Sequence, residues 1–478
     1  MADKTQNYNL IKPLASEFYD VGVQNSNMDK IDQELKRQDD ELKEFQSGQG
    51  GKADLDANGK IPVDQLPDMG YIPIDQKGAA HGVATLDKNA KIPKGQLPDA
   101  EAKRVARFTV GTTTAGWTAD KVDYLCDGTA DQVEINAAIT ALPDDGGEVV
   151  VLDGTYNLTN SVLVKKNNVT LSGNGGSTIL KRFFLGDSKN YALVFVSSSN
   201  NTIQFFSLDG AKGGTYDSSY GFGICVSNGS NNKIIGNEVN NNNKSAIYIF
   251  SSSNNIIIGN TGANMGSSGI ALVSQSGKNK ICNNAFENCK YQGVSLDSSE
   301  NNTITGNIFE KCNAGIQLWS NSNGNTLIGN VCRNSNSGGQ GININSSSNN
   351  TIIGNTCNDN FNGISLGSSS NNNTVSGNMC KENNNGISLD SNSNNNAVSG
   401  NVCKENSNGI NISSSKNNTV TGNTCIRGNG TTGDYTVYDY SISLTNDAQN
   451  NLISSNNIMG KNYTNNGTGN TFANNKYN

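Results

Sequence analysis

NTIIGNTCNDNFNGISLGSSSNNNTVSGN, residues 350–378, contains one whole structural repeat and the start of the next. Its opening phrase, Asn-x-apolar-x-Gly-Asn, recurs along the chain with its glycine at 236, 259, 306, 329, 354, 377, 400 and 422, and degenerate copies stand at 279–284 and 451–456. Full copies lie 22 to 25 residues apart, or 47 across the degenerate copy. A fixed period of this length is one coil of a solenoid. Each coil carries a second strand, Gly-apolar-x-apolar, seen at Ile316/Leu318, Ile342/Ile344, Ile364/Leu366, Ile387/Leu389 and Ile410/Ile412. Its period of two turns one side chain inward and the next outward.

Superposing coils predicts columns. Ile234, Ile257, Ile281, Ile304, Leu327, Ile352, Val375, Val398, Val420 and Ile453 stack in the core, with coils about 4.8 Å apart. The Asn of each Gly-Asn pair stacks likewise, its amide bonding the copies above and below. This assigns the asparagines, about 80 in 478 residues and concentrated after residue 200, to architecture. Cys332, Cys357, Cys380, Cys403 and Cys425 share a slot that Phe286 and Phe309 fill earlier, so they are expected as buried thiols in an apolar column. Without a CxxC motif, disulfides and metal are the alternatives set aside, and no cofactor or metal is expected.

Charged residues make up only 16% of the chain and the net charge is -7, a poor match to nucleic acid, which recruits basic surfaces. No apolar run is long enough to span a bilayer, and the N-terminal residues do not form a secretory signal, so no membrane insertion is expected. Upstream of the solenoid, Met28, Ile31, Leu35, Leu42 and Phe45 follow a heptad spacing, with Gln38 in the remaining slot. This seam serves either parallel self-association or packing on another domain. Residues 53–67, ADLDANGKIPVDQLP, return 31 positions later as ATLDKNAKIPKGQLP, predicting an extended, proline-punctuated neck. The expected organisation is therefore 1–50 with a short coiled coil, 51–100 as neck, 101–180 as the start of the solenoid, and 181–478 as its body.

Two stretches carry family resemblances. The paired LDxNxKIPxxQLP motif, after Phe18-Tyr19-Asp20-Val21 and the heptad segment, resembles the attachment and neck segments of bacteriophage tail fibres. The run CDGTADQVEINAAITALPDDGGEVVVLDGTYNL, residues 126–158, is similar to the start of right-handed parallel β-helices of the pectate-lyase-like superfamily, where a helix, here Gln132 to Leu142, caps the first coil. The implied fold is all-β, a right-handed parallel β-helix. The resemblance further implies a homotrimer, docking of the N-terminus on a phage or bacteriocin baseplate, presentation of the β-helix to a bacterial surface polysaccharide or teichoic acid, and a place in a virion or phage-tail-like particle released by lysis.

The only histidine is His81 in the neck, so a Ser-His-Asp or Cys-His triad within the β-helix would need a base from elsewhere. Carboxylates remain as catalytic candidates. Asp359, Glu382 and Glu405 fall at equivalent places on consecutive coils, and Asp297 and Asp390 share a column with Phe250, Trp319 and Asn345. Neighbouring coils set carboxylates near 5 Å apart and alternate coils near 10 Å, which brackets the separations used by glycosidases. Lys381 and Lys404 beside Glu382 and Glu405 equally suit a solvated salt-bridged face. Trp319, expected to point outward, suits stacking on a sugar ring or covering a coil turn. The longest interruption of the repeat places Asp434, Tyr435, Tyr438 and Tyr440 on an expanded coil, which serves as a recognition loop or as a cover for its neighbour. Glycan binding is the expected function, and depolymerisation of that glycan the alternative.

Overall fold

The structure, a computed structural model, describes residues 21–46, 106–185, 192–214, 220–336, 338–427, 440–445, 447–460 and 463–477. The chain divides into two units, Met1–Arg104 and Val105–Asn478. In the first, helix α1 spans Val21–Gln46, and Ile31 and Leu35 lie exposed on it. The side chains of Met28, Leu42 and Phe45, both neck motifs and His81 fall outside the described residues.

The second unit is the solenoid. Its strands pair in parallel, forming one sheet of 13 strands from Val162–Val164 to Tyr463–Asn465 and another of 28 short strands. Each strand meets its counterpart one coil on, without a change of register over most of the length. Ile304 pairs with Leu327, Leu327 with Ile352, and Ile352 with Val375. All ten residues of that predicted column are fully buried. In the 13-stranded sheet Ile316, Ile342, Ile364, Ile387 and Ile410 form the facing column. Helix α2, Gln132–Ala141, buries Ile135, Ala138 and Ile139 against the first coil. This removes from water an end that would otherwise expose unpaired core.

The glycine of the repeat phrase explains the bend between its two short strands. Gly306 and Gly354 have φ of 65° and 62°, a left-handed conformation that costs other residues a steric penalty. The bend aims the next asparagine inward, where it is fully satisfied. Asn330 Oδ1 accepts the Asn307 backbone N–H at 3.0 Å and its Nδ2 at 2.9 Å, while Asn330 Nδ2 donates to Ile304 O at 2.8 Å and Asn355 Oδ1 at 2.9 Å. The pattern continues from Asn237 to Asn475. Burying an amide is costly only when its groups go unpaired.

A second ladder runs beside it, built from the first asparagine of the phrase: Asn279, Asn302, Asn325, Asn350 and onward, each Oδ1 accepting the preceding coil's backbone N–H at 2.8 Å. A third, Asn360, Asn383 and Asn406, covers only three coils. The sequence reading anticipated the first ladder and missed the other two. Their asparagines look like turn residues until the register shows them buried.

The cysteine column is present as expected. Phe286, Phe309, Cys332, Cys357, Cys380, Cys403 and Cys425 follow one another in register. All ten cysteines are free thiols, and all but Cys282 are buried. Hydrogen bonds from neighbouring thiols, reinforced by burial, push the Cys357 and Cys380 thiols well above their ordinary value and keep them protonated.

Candidate functional site

Outward-facing positions of the 13-stranded sheet form a column running Phe250, Val273, Asp297, Trp319 and Asn345, continued by the buried Gly367. It is fixed by the pairs Phe250–Val273, Asp297–Trp319 and Asn345–Gly367. Immediately after this column the chain turns, and the turns of four consecutive coils enclose a groove of about 530 Å³. Ser253 and Asn254 follow Phe250 at one end; Ser320 and Asn321 follow Trp319 at the other. The end coils are three steps apart, about 14 Å.

Left-handed backbone at Asn254, Gln275, Lys278, Ser298, Asn301, Ser320 and Asn321 shapes these turns, which is why Asn and Ser crowd this edge. The wall presents hydroxyls and amides with one cation, Lys278, and one carboxylate, Glu300. Trp319 is 41% exposed. Its carbonyl accepts the Ser322 hydroxyl at 2.8 Å and the Ser322 N–H at 3.2 Å, which fixes the backbone bearing the indole. At the far end Phe250 lies 6.4 Å from the stacked ring of Tyr248. The groove is therefore a neutral channel of hydroxyls and amides, and the turns at its two ends follow Phe250 and Trp319 along the chain.

A second groove, of about 330 Å³, lies on the other sheet and is lined by Glu238, Asn240, Glu287, Ile308 and Glu310, with Phe286 beneath. Glu287 and Glu310 are register partners on adjacent coils, about 4.8 Å apart along the axis. Gly262, between Val239 and Phe286 in sequence order of coils, is needed here because a Cβ would stand 2.0 Å from Val239 O. Partial burial pulls the Glu310 carboxyl upward, but the Asn334 amide with Arg333 and Lys311 outweighs it and holds the group below the usual carboxylate range. Arg333 Nη2 is 3.1 Å away. Sequence reasoning missed this pair, although Phe-Glu on successive coils, at 286–287 and 309–310, was its signal.

The predicted carboxylates are placed differently. Asp359, Glu382 and Glu405 have φ of 53°, 57° and 58°, so all three occupy the same left-handed turn of consecutive coils. Lys381 bridges Glu382 at 2.9 Å and Glu405 at 3.1 Å, and Lys404 meets Glu405 at 3.1 Å. The hydrogen bonds from Lys404 and Lys381 hold Glu405 below its ordinary value. Asp297 and Asp390 do share a column, but four coil steps, about 19 Å, separate them, beyond the reach of a two-carboxylate mechanism. Of the loop candidates, Asp434, Tyr435 and Tyr438 lie outside the described residues. Tyr440 is held by its backbone, its N–H donating to Asn408 Oδ1 at 3.0 Å.

Among the described residues, Cys126, Asp131 and Glu134 bring metal-ligating atoms within 4.8 Å of one another. Both Asp131 oxygens are already engaged, by the N–H groups of Gly128 at 2.9 Å and Asn157 at 2.7 Å. Burial pushes the Cys126 thiol and the Glu134 carboxyl upward. The cluster ties helix α2 to the first coils and favours neutral protonated groups over charged ligands.

Residues 149–332 match the family model of the right handed beta helix region, and residues 332–478 match that of the periplasmic copper-binding protein NosD. None of the curated proteins matches the chain. Among solved structures, the Dettilon tailspike protein is 17% identical, with 69% of this chain and 64% of that one covered at a TM-score of 0.53. The pre-mature bacteriophage phi29 gene product 12 is 16% identical, with 73% and 55% covered at 0.51. ORF18 of Geobacillus virus E2 is 18% identical, with 58% of each chain covered at 0.47. This chain thus spans less than two thirds of the length of each of these three proteins. The solenoid is a parallel β-helix by its register and its inward asparagine ladders, residues 149–332 match the right handed beta helix model, and the fold is shared with the Dettilon tailspike protein.

Proposed function

We propose that this chain is a receptor-binding protein of a phage tail or phage-tail-like particle, and that its β-helix binds a bacterial surface glycan in the groove beside Trp319. The observation that carries this reading is an exposed indole, Trp319, immediately before the Ser320–Asn321 turn of a channel walled by hydroxyls and amides. An indole offers a flat apolar face to a sugar ring, while serine and asparagine side chains exchange hydrogen bonds with its hydroxyls. One lysine and one glutamate leave the wall without a dominant charge, so a neutral stretch of polysaccharide fits better than a polyanion. The tailspike fold supports a tail location. The resemblance of the first 100 residues to attachment and neck segments supports baseplate docking and a trimer, in which three weak glycan contacts gain by effective concentration.

A second reading, depolymerisation, is favoured by Glu287 and Glu310. Their one-coil spacing matches the separation of a nucleophile and an acid in retaining glycosidases. Against it, the ion-paired Glu310 is suited to stay charged and not to deliver a proton. The deciding experiment incubates the purified full chain with surface polysaccharide from candidate hosts and follows both polymer length and retention of protein on cells. Retention without shortening, lost in Trp319→Ala, supports the binding site proposed. Shortening that survives Trp319→Ala and disappears in Glu287→Gln assigns the activity to the acidic groove. Neither retention nor shortening on any strain overturns the reading.

A further inference from the structure

The outward side of the 28-stranded sheet carries an apolar stripe. In the two short strands of each coil, as in Thr303-Ile304-Thr305 and Ile308-Phe309-Glu310, the middle residue is buried and the outer two face away from the core. The outward residues that flank the Gly-Asn bend therefore form two columns, one on each side of it. On five consecutive coils these columns present Ile308, Ile328, Ile353, Met379 and Val402, each between 36 and 48% exposed. Neither column holds a charged residue from Ile258 to Val402. The five exposed side chains span four coil steps, about 19 Å. An apolar patch of this extent marks a surface that another molecule covers.

Shape and charge say what covers it. The bend wraps the inward asparagine, as Gly306 does Asn307, so it is convex outward and its two flanks face different directions. A convex edge buries both flanks only against two neighbours. Copies of this chain set parallel around a common axis provide them, because the first-strand flank of each copy then meets the second-strand flank of the next at equal height. Near the axis large residues meet small ones, Thr305 against Ile308, Ile353 against Thr356 and Ser376 against Met379. Further out, Lys280 meets Glu287 of the next copy. Both are exposed, and neither has an ion-pair partner among the described residues, whereas Glu310 and Glu405 are paired within the chain. Lys233 and Glu238 repeat the arrangement two coils away, on the first and second short strands of one coil. The groove of about 330 Å³ opens on the second-strand flank, where Glu238, Glu287 and Glu310 line it, and a lysine from the neighbouring copy suits it in charge.

We propose that the stripe beside the Gly-Asn bend is the face through which the β-helix packs on further copies of this chain, in a closed parallel ring that is in register coil for coil, with Lys280 of each copy entering the acidic groove of the next. The proposal rests on the oligomer of the receptor-binding reading and names its contact face. Apolar contacts along the stripe supply the attraction, and the two lysine–glutamate pairs fix the register. An antiparallel pairing would instead set Glu287 and Glu310 against Lys404 and Lys381, which already have carboxylate partners in their own chain, and would leave Lys280 facing Ala397.

The test is cross-linking of the full chain with a carbodiimide, which joins lysine to carboxylate without a spacer, followed by tryptic digestion and mass spectrometry. Lys280 and Glu287 fall on overlapping peptides, so a product that joins two peptides both containing residue 287 comes only from two copies. The expected result is a Lys280–Glu287 link of this overlapping kind. Ile353→Glu with Met379→Glu, both at exposed positions, lowers its yield at least about tenfold, because the ring would bury two charges without partners, while circular dichroism is unchanged. The wild-type products decide alone should that variant fail to fold. Links of Glu287 to Lys404 and of Glu310 to Lys381 overturn the parallel ring in favour of an antiparallel pair. Links from Glu287 to lysines within residues 52–94 overturn it in favour of the chain's own neck as the cover, and the absence of any overlapping link overturns it outright. Retention on host cells is scored separately: retention without overlapping links removes the ring alone, and overlapping links without retention on any strain uphold the ring and remove the receptor reading.

Discussion

Asn307→Ala tests whether the long asparagine ladder stabilises the β-helix or merely accompanies it. Asn307 Nδ2 donates to Ile281 O at 2.9 Å, to Thr305 O at 3.2 Å and to Asn330 Oδ1 at 2.9 Å, and its Oδ1 accepts the Asn284 backbone N–H at 2.9 Å and the Asn284 Nδ2 at 2.9 Å. Alanine removes all five and leaves the Asn284 N–H orphaned in a site where both residues are buried. An orphaned buried donor costs about 1–3 kcal/mol, and each of the other lost bonds about 1 kcal/mol, giving roughly 5–7 kcal/mol in sum. Asn475→Ala, at the partly exposed end of the same ladder, lets water reach the Asn456 N–H, so about 1 kcal/mol is expected there.

Asn307→Asp adds a pH signature. Its oxygens still accept from Asn284, but one now faces the acceptors Ile281 O and Asn330 Oδ1. Only the protonated acid relieves this, so the folded-state pKa of the new carboxyl is raised above its unfolded value of about 3.9. Stability is then retained below that unfolded value and lost as pH rises through the folded one. Urea denaturation followed by circular dichroism at pH 4 and pH 7 measures both effects. A loss at Asn307→Ala no larger than at Asn475→Ala, or an aspartate variant indifferent to pH, refutes the reasoning.

Three further outcomes are expected. Trp319→Ala weakens retention on receptor-bearing cells about tenfold, the equivalent of roughly 1.4 kcal/mol for a lost aromatic contact, without changing unfolding; unchanged retention removes the indole from the site. Thiol titration of the native chain finds Cys282 reacting first and the buried thiols silent, rising to ten thiols in denaturant; fewer than ten after denaturation contradicts the free-thiol column. Because Glu310 is held below its unfolded pKa, its contribution is present above about pH 4.3 and is lost as pH falls through the folded value; a pH-stability profile of Glu310→Gln superimposable on the wild type shows that the Arg333 pair contributes nothing.

How much of this was legible depended on whether the signal repeated. The core columns could be written down from the phrase at 350–378, because a one-coil shift leaves Ile352 over Leu327 and under Val375 and no other alignment does. The cysteine column followed from the phenylalanines sharing its slot. The second ladder was hidden because Asn302 and Asn325 sit among other asparagines, such as Asn301 and Asn323, that face outward, and composition does not separate them. The grooves were harder still. Each draws side chains from separate coils, so Glu287 beside Glu310 becomes a pair only once register is known. For Asp297 and Asp390 the shared column was legible, but the number of coils between them, which sets their separation, is read from the register.

The ladders also bear on mechanics. Hydrogen bonds between coils lie along the axis, so tension applied at the two ends crosses every coil boundary in series while the bonds within a boundary share the load. The assembly is then as strong as its most sparsely bonded boundary. Coils joined through Asn360, Asn383 and Asn406 have an extra bonded pair, whereas Asn470 and Asn475 at the C-terminal end are partly open to water. Pulling should therefore peel the β-helix from its C-terminal end. After C-terminal coils of 19 and 33 residues, each release frees one repeat of 22 to 25 residues, about 80 Å of extended chain at roughly 3.4 Å per residue, and the force trace becomes a count of coils.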